Sequence, residues 1–169
     1  RRAIPYDVDG YWTESLGDVA TKPYSPTTSP AGSVDDGENS YGYIIDGADE
    51  SMYRALAYLL QADVKVRVAE KDFTACARRF ARGSLLIRQH ENDATLIQRL
   101  HEAAKAAGVH VYATQTGRSP DDGPDLGGGH FILLQRPRVA LFGGENISTT
   151  SFGEVWHLFD ADAGFGLSL

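Results

Sequence analysis

Between residues 41 and 113, short apolar runs alternate with segments whose apolar residues recur at helical spacing. Apolar, aromatic and β-branched runs predict strands at 41–45, 64–68, 85–87 and 109–113, and helical spacing predicts helices at 52–60, 73–80 and 96–107. Strands that alternate with helices about every 10–15 residues favour βαβ units. We therefore predict an α/β fold, a three-layer module of βαβ type with a mostly parallel sheet and helices on both of its faces.

Two segments without a core-forming pattern divide the chain. Residues 23–40 combine three prolines with small polar and acidic residues, which predicts a linker or a long surface loop. Residues 115–129 form a second break, rich in Gly, Pro and Asp. We expect an N-terminal segment at 1–22 that adds a strand or a short helix, the linker at 23–40, the α/β module at 41–135, and a separate element at 136–169.

The last element has the pattern of a strand, a glycine turn and a helix. An apolar run at 139–142 precedes Gly143 and Gly144, Ser151 and Glu154 have the spacing of a capping box, and Gly164 can end the helix. The predicted buried stripe of this helix is Val155, Leu158 and Phe159. This order is typical of the first βα unit of a Rossmann-like or flavodoxin-like sheet.

The turn from Gly143 to Ser148 is the one candidate ligand site. Backbone amides at Gly143, Gly144 and Ser148 can approach a phosphate or carboxylate, helped by the positive end of the following helix. The segment lacks the third glycine of a dinucleotide fingerprint and the Gly-Lys-Ser/Thr of a phosphate loop. The alternative is that glycine only permits a tight turn.

Composition excludes several classes of protein. The chain has 169 residues, 42% of them hydrophobic, and a net charge of −7, which describes a folded and acidic domain. We expect no nucleic-acid partner, because such proteins carry basic surfaces. No run approaches the roughly 20 apolar residues of a membrane span. The sequence begins without Met and ends in an apolar stretch, so we expect a part of a longer protein.

No catalytic or metal-binding signature is found in the sequence. None of the five histidines belongs to a His-x-x-Glu or His-Glu-x-x-His motif, and no Gly-x-Ser-x-Gly elbow occurs. The single cysteine, Cys76, lies outside any nucleophile elbow, and we interpret it as a small buried hydrophobic residue. We therefore assign no catalytic residue, no metal ligand and no cofactor to this chain.

A local group of arginines stands out in the middle of the chain. Its members are Arg78, Arg79, Arg82 and Arg88, with Phe73 and Phe80 nearby. Stacking on a nucleic acid is one interpretation. The acidity of the chain favours instead a solvated face or a docking patch for an acidic neighbouring domain.

The order of several segments resembles a known family. Tyr41-Gly42-Tyr43-Ile44-Ile45-Asp46, Val64-Lys65-Val66-Arg67-Val68, Gly83-Ser84-Leu85-Leu86-Ile87 and Arg136-Pro137-Arg138-Val139-Ala140-Leu141-Phe142 follow one another. This order resembles the region after the catalytic domain of large bacterial zinc carboxypeptidase-like proteins of the M14 peptidase type. The segment that begins at Arg136 resembles the first strand of the class I glutamine amidotransferase-like domain in those proteins. Tyr6-Asp7-Val8 resembles the start of a segment just past the peptidase domain, although the Leu-Pro-Leu run that follows there is absent.

The resemblance implies a function without a catalytic residue in this chain. It implies a non-catalytic accessory region that supports the peptidase domain, with the other domains of the same polypeptide as partners. Zinc and its ligands would belong to that peptidase domain, and the location would be secreted or periplasmic. The alternative, from the residues themselves, is an α/β module that binds a small molecule at the turn from Gly143 to Ser148.

Overall fold

A six-stranded sheet and two packed helices form the centre of the computed structural model, which describes residues 14, 15, 17, 31–37, 39–121 and 123–168. The strands are β1 Ser33–Val34, β2 Gly42–Ile45, β3 Arg67–Ala69, β4 Phe73–Ala75, β5 Arg78–Phe80, β6 Leu85–Arg88, β7 His110–Thr114 and β8 Phe131–Leu133. The helices are α1 Met52–Gln61, α2 Leu96–Ala107 and α3 Thr149–Trp156, with a 3₁₀ turn at Gln89–Glu91 and a π-helical segment at His157–Asp162.

The sheet has the strand order β1-β7-β2-β6-β3-β8. Only β1 and β7 pair in parallel, and the other neighbours pair antiparallel. Helix α1 connects β2 to β3, and α2 connects β6 to β7, so each crossover joins two strands of equal direction with one antiparallel strand between them. This is the split β-α-β-β-α-β arrangement of ferredoxin-like folds, extended by β1 and β8 at the two edges.

The prediction of an α/β fold is confirmed, but the prediction of a mostly parallel sheet with helices on both faces is wrong. Two of the three predicted crossover helices exist, as α1 and α2. The sheet is nevertheless mostly antiparallel, because an antiparallel strand separates the two strands that each crossover joins. Helices α1 and α2 pack into one apolar cluster on the same face, so the helices form a single layer.

That cluster contains most of the core. Tyr43 and Ile45 of β2 point toward the helices and are fully buried, and Leu59 and Leu100 meet them from α1 and α2. Several alanines line the helix surfaces there and allow close approach to the sheet. Gly108, at φ 76°, ends α2 in the left-handed conformation that the sequence predicts.

The opposite face of the sheet is covered by a β-hairpin, where the sequence predicted a helix. Phe73 of β4 pairs with Phe80 of β5, and both rings are buried beside Phe131. The turn residues Cys76 and Ala77 have φ values of 50° and 53°. The prediction is wrong because apolar residues at helical spacing over only eight positions do not distinguish a short helix from two short strands joined by a turn.

Residues 136–168 form a small unit that contributes no strand to the six-stranded sheet. A parallel bridge joins Ala140 to Ser168, and α3 lies between them in the chain. Helix α3 begins after Ser148, whose side chain accepts a hydrogen bond from the Ser151 amide, so the predicted cap at Ser151 lies inside the helix instead. The predicted buried stripe is also wrong in part, because Val155 and Leu158 are 39% and 48% exposed.

The segment predicted as a linker contains strand β1. Residues 31–37 run beside β7, and Val34 packs against the main core. Most of the remaining linker and of the N-terminal segment at 1–22 lies outside the described residues, as does the tripeptide Tyr6-Asp7-Val8. Within the described residues, no helix combines the length and apolar character needed to cross a membrane.

Candidate functional site

The predicted turn borders a small cavity. A space of about 250 Å³ is lined by Gly143, Gly144, Ile147, Thr149 and Phe152. The side chain of Ser148 caps the first turn of α3. A Cβ at Gly143 would approach the Phe152 ring to 3.2 Å, and Gly144 has φ 142°, so both positions favour glycine. Gly143 and Gly144 therefore line the cavity, and Ser148 is not among its lining residues.

A serine, a histidine and an aspartate meet at the β1 edge of the sheet. Ser33 Oγ lies 2.6 Å from His110 Nδ1, and His110 Nε2 lies 3.1 Å from Asp35 Oδ1. The Ala113 amide donates to the other oxygen of Asp35 at 3.2 Å. No sequence pattern indicates this cluster, because Ser33 and Asp35 belong to the predicted linker and only the parallel pairing of β1 with β7 brings them to His110.

The cluster has the three residue types of a hydrolase triad, but its surroundings lack the oxyanion-binding amides and the exclusion of water that catalysis by such a triad needs. The amides of Ser33 and Asp35 donate to Val109 and Val111 carbonyls, so neither is free to stabilise an oxyanion. His110 and Asp35 are about 40% exposed at an open strand edge, where water is not excluded. The arrangement fastens β1 to β7 through side chains in addition to the short backbone ladder.

Cys76 lies at the tip of the β4–β5 hairpin and is exposed, which corrects the prediction that it is buried. Its thiol donates a hydrogen bond to the Ala113 carbonyl at 3.1 Å. Desolvation raises the pKa of the Cys76 thiol. The thiolate is the nucleophilic form, so this environment opposes nucleophilic chemistry at neutral pH.

The arginine group is largely engaged inside the domain. Arg78 pairs with Asp46 at 2.6 Å and donates to Tyr112 Oη at 2.9 Å, and Arg79 pairs with Asp72 at 2.9 Å. Arg88 is buried and donates to the Leu126 carbonyl. Arg88 is therefore separated from the exposed members of the group, Arg78, Arg79 and Arg82, and the interpretation as a docking patch stays a prediction for those three.

A polar groove lies between helix α2 and the segment that contains residues 35–37 and Asn39. Its volume is about 740 Å³, and its walls include Asp35, Asp36, Asn39, Gln89, Ile97 and His101. Its position is the edge of the sheet where β1, β6 and β7 end and β2 begins. We call it the 35–39 groove.

An apolar cavity lies between α1 and the C-terminal unit. Its volume is about 380 Å³, and Leu56 and Leu60 of α1 face Leu158, Phe159 and Phe165 across it. Phe165 is buried, and Gln61 Nε2 donates to the Gly164 carbonyl at 2.8 Å. These contacts hold the end of the C-terminal unit against α1.

The described residues do not fit a zinc centre. They contain no group of three or more His, Cys, Asp or Glu side chains placed to hold a metal ion.

Comparison with known proteins gives no further assignment. No protein-family model, no curated protein and no solved structure matches this chain significantly. The split β-α-β-β-α-β topology itself does not indicate an activity, because common folds host many unrelated functions.

Proposed function

We propose that this chain is a non-catalytic accessory region of a zinc carboxypeptidase-like protein and that it supports the peptidase domain by docking through its C-terminal unit. One observation carries the docking step. Of the nine large hydrophobic side chains exposed in the described residues, five lie between residues 142 and 158. They are Phe142, Ile147, Val155, Trp156 and Leu158.

The density of apolar side chains there is unusual for a free surface. Phe142 is 80% exposed, Trp156 at the end of α3 is 44% exposed, and Leu158 in the π-helical segment that follows is 48% exposed. Single exposed apolar residues are normal, but a concentration of them marks a surface that another protein or domain covers. The partner in this proposal is another domain of the same polypeptide.

The finer assignment of residues 136–169 belongs to the same proposal. The parallel bridge between Ala140 and Ser168, with α3 between them, gives the beginning of a β-α-β unit. Parallel units of this kind occur in sheets that have layers on both sides. This supports the interpretation as the first unit of a Rossmann-like, amidotransferase-like element, whose remaining strands would cover the apolar side chains.

The test uses the peptidase domain that the same reading frame encodes, produced separately and titrated with this chain. We expect binding that the double substitution F142S/W156S weakens at least tenfold, because a few large aromatic anchors carry much of the free energy of an interface. The control is Ile132→Ser, which removes a side chain that is 45% exposed at the β8 edge of the sheet. Equal weakening by both variants would contradict docking through the C-terminal unit.

The absence of catalysis is tested separately. Incubation of this chain alone with Zn²⁺ and a panel of peptides should give no C-terminal trimming by mass spectrometry. Clear turnover would contradict the accessory role. A reading frame without a His-x-x-Glu and a later His would contradict the carboxypeptidase assignment while leaving the docking surface intact.

The second candidate function is small-molecule binding at the turn from Gly143 to Ser148, which the cavity of about 250 Å³ favours. A specific binder at about 100 times its dissociation constant should stabilise the chain by about 2.7 kcal/mol in a thermal-shift panel of nucleotides, sugars and amino acids. Ile147→Trp should fill the cavity and remove the shift, whereas Thr150→Trp, outside the lining, should not. No shift across the panel would reject this candidate.

A further inference from the structure

The apolar cavity between α1 and the C-terminal unit has the size and the lining of a ligand site. Its volume of about 380 Å³ lies within the range of about 300–1,000 Å³ that is usual for small-molecule sites. Every lining residue is apolar except Tyr53, whose hydroxyl accepts a hydrogen bond from Arg54 Nε at 3.2 Å. The part of a ligand that fills this space is therefore a hydrocarbon.

The two walls of the cavity are tied together, although the space between them is not filled. Gln61 Nε2 donates to the Gly164 carbonyl at 2.8 Å, and Phe165 is buried beside this contact. Arg54 Nη2 lies 3.9 Å from Asp162 Oδ1 across the same interface. Because the walls are held before a ligand arrives, little conformational entropy is lost when one binds.

One wall of the cavity belongs to a π-helical segment. Leu158 and Phe159 line the cavity from within His157–Asp162, which directly follows α3. π-Helical turns are rare in proteins, and they occur frequently at functional sites. The helix geometry of this wall is therefore a second observation, besides the volume, that indicates a binding site.

Two arginines beside the lining define the polar end of the ligand. The guanidinium carbon of Arg136 lies 5.9 Å from the centroid of the Phe165 ring, and the next residue, Pro137, lines the cavity. Arg136 is exposed and has no ion-pair partner among the described residues. On the α1 side, Arg54 is held only loosely by Asp162. A carboxylate matches the donor geometry of a guanidinium, so an anionic group complements this edge of the cavity.

We propose that this cavity binds a medium-length fatty acid, with the hydrocarbon chain between α1 and the π-helical segment and the carboxylate at Arg136. The chain supplies most of the binding free energy, because each buried methylene contributes favourably whereas an ion pair with an exposed arginine contributes little. The proposal does not rest on docking through the C-terminal unit, since Phe142 and Trp156 do not line the cavity.

Isothermal titration calorimetry of the whole chain with octanoate tests the proposal at neutral pH. Octanol is the control with the same chain and no charge, and butanoate is the control with the same charge and a shorter chain. We expect octanol to bind about threefold more weakly than octanoate, the effect of one exposed ion pair. Butanoate should bind about 200-fold more weakly, the effect of four buried methylenes. No heat of binding with octanoate, or equal affinities for octanoate and butanoate, would overturn the proposal.

Ala163→Trp locates the site, because Ala163 is half-buried in the lining and the indole ring should occupy the cavity. Octanoate and octanol should then both lose binding. The matched control is Ala161→Trp, an exposed alanine of the same segment that does not line the cavity, and its affinities should be unchanged. Circular dichroism verifies that both variants are folded. Equal effects of the two substitutions would contradict binding in this cavity.

Arg136→Gln tests the carboxylate contact by a surface substitution that should leave the fold intact. The affinity for octanoate should fall about threefold, whereas the affinity for octanol should not change, because octanol has no charge for Arg136 to contact. Arg138→Gln removes an equal charge two residues away and should leave both affinities unchanged. An unchanged affinity for octanoate in Arg136→Gln, or equal losses for octanoate and octanol, would overturn the assignment of the carboxylate to Arg136.

Discussion

Arg67 and Glu91 form a two-pronged ion pair that joins strand β3 to the turn after β6. Arg67 Nε and Nη2 lie 2.9 Å from the two oxygens of Glu91. The same carboxylate accepts from the nearly buried Arg88 at 3.2 Å, and Arg88 also holds the Leu126 carbonyl of the long loop. One carboxylate therefore binds two arginines, and Arg88 links it to the loop.

Glu91→Gln should destabilise the chain by about 2 kcal/mol, because it leaves two partly buried guanidinium groups without their anion. Urea denaturation followed by circular dichroism measures the change. The matched control, Glu154→Gln, alters an exposed glutamate that has no partner among the described residues, and its effect should be within about 0.5 kcal/mol. Equal effects of the two substitutions would show that the ion pair contributes nothing.

The same pair makes stability depend on acidity. Hydrogen bonds from Arg67 hold the pKa of Glu91 below its ordinary value. A lowered folded-state pKa contributes stability above the unfolded value, and that contribution is lost as the pH falls through the folded value. The difference in unfolding free energy between the wild type and Glu91→Gln should therefore shrink below about pH 4.3. If the difference in unfolding free energy between the two proteins stays constant down to pH 2, it does not originate in the ionised carboxylate of Glu91.

Gly32→Ala should detach β1 from the fold. A Cβ at Gly32 would lie 1.7 Å from the Ala104 carbonyl oxygen, which is backbone of α2 and cannot move aside. We expect a loss of about 1–3 kcal/mol and faster amide exchange at Ser33 and Asp35. Gly129→Ala is the control, since nothing lies within 4 Å of its added Cβ. Unchanged exchange in Gly32→Ala would refute the close packing of β1 on α2.

The order of the two helices and of the strands that they connect could be predicted from the sequence, but not strand β1, the β4–β5 hairpin or the order of strands in the sheet. Apolar spacing located α1 and α2, and Gly108 marked the end of α2. The position of β6 between β2 and β3 depends on the turn after β3 and on packing between segments that are distant in the sequence. A local sequence pattern encodes neither of them. A split and an unsplit βαβ connection have the same alternation of strands and helices in sequence.

The candidate sites were harder to predict than the fold. The turn at Gly143 and Gly144 could be predicted from the sequence, because two consecutive glycines between an apolar run and a helical pattern indicate a tight turn. The 35–39 groove combines residues from the predicted linker, from the turn after β6 and from α2, more than 60 positions apart at the extremes. Asp36 and His101 carry no motif, and only the tertiary fold brings them to one concavity.

Ala77→Gly should stabilise the chain. Ala77 has φ 53° in the hairpin turn, a left-handed conformation that costs a non-glycine residue about 1 kcal/mol. Glycine adopts it freely, so we expect a gain of about 0.5 kcal/mol after its larger unfolded-state entropy is included. Ala106→Gly, at an exposed position of α2, should instead cost about 1 kcal/mol. Thermal unfolding of both variants checks the opposite signs, and a loss of stability in Ala77→Gly would contradict the turn geometry.

Cys76 should react slowly with iodoacetamide. Since desolvation raises the pKa of this thiol, the fraction present as thiolate at pH 7.5 is lower than in an unfolded chain. The rate of alkylation should therefore rise when the chain is unfolded in urea, and the pH profile of the folded chain should be displaced to higher pH. Mass spectrometry measures both, without ambiguity because the chain contains one cysteine. A folded-state rate above that of the unfolded chain would indicate an activated thiol and contradict the environment seen at the hairpin tip.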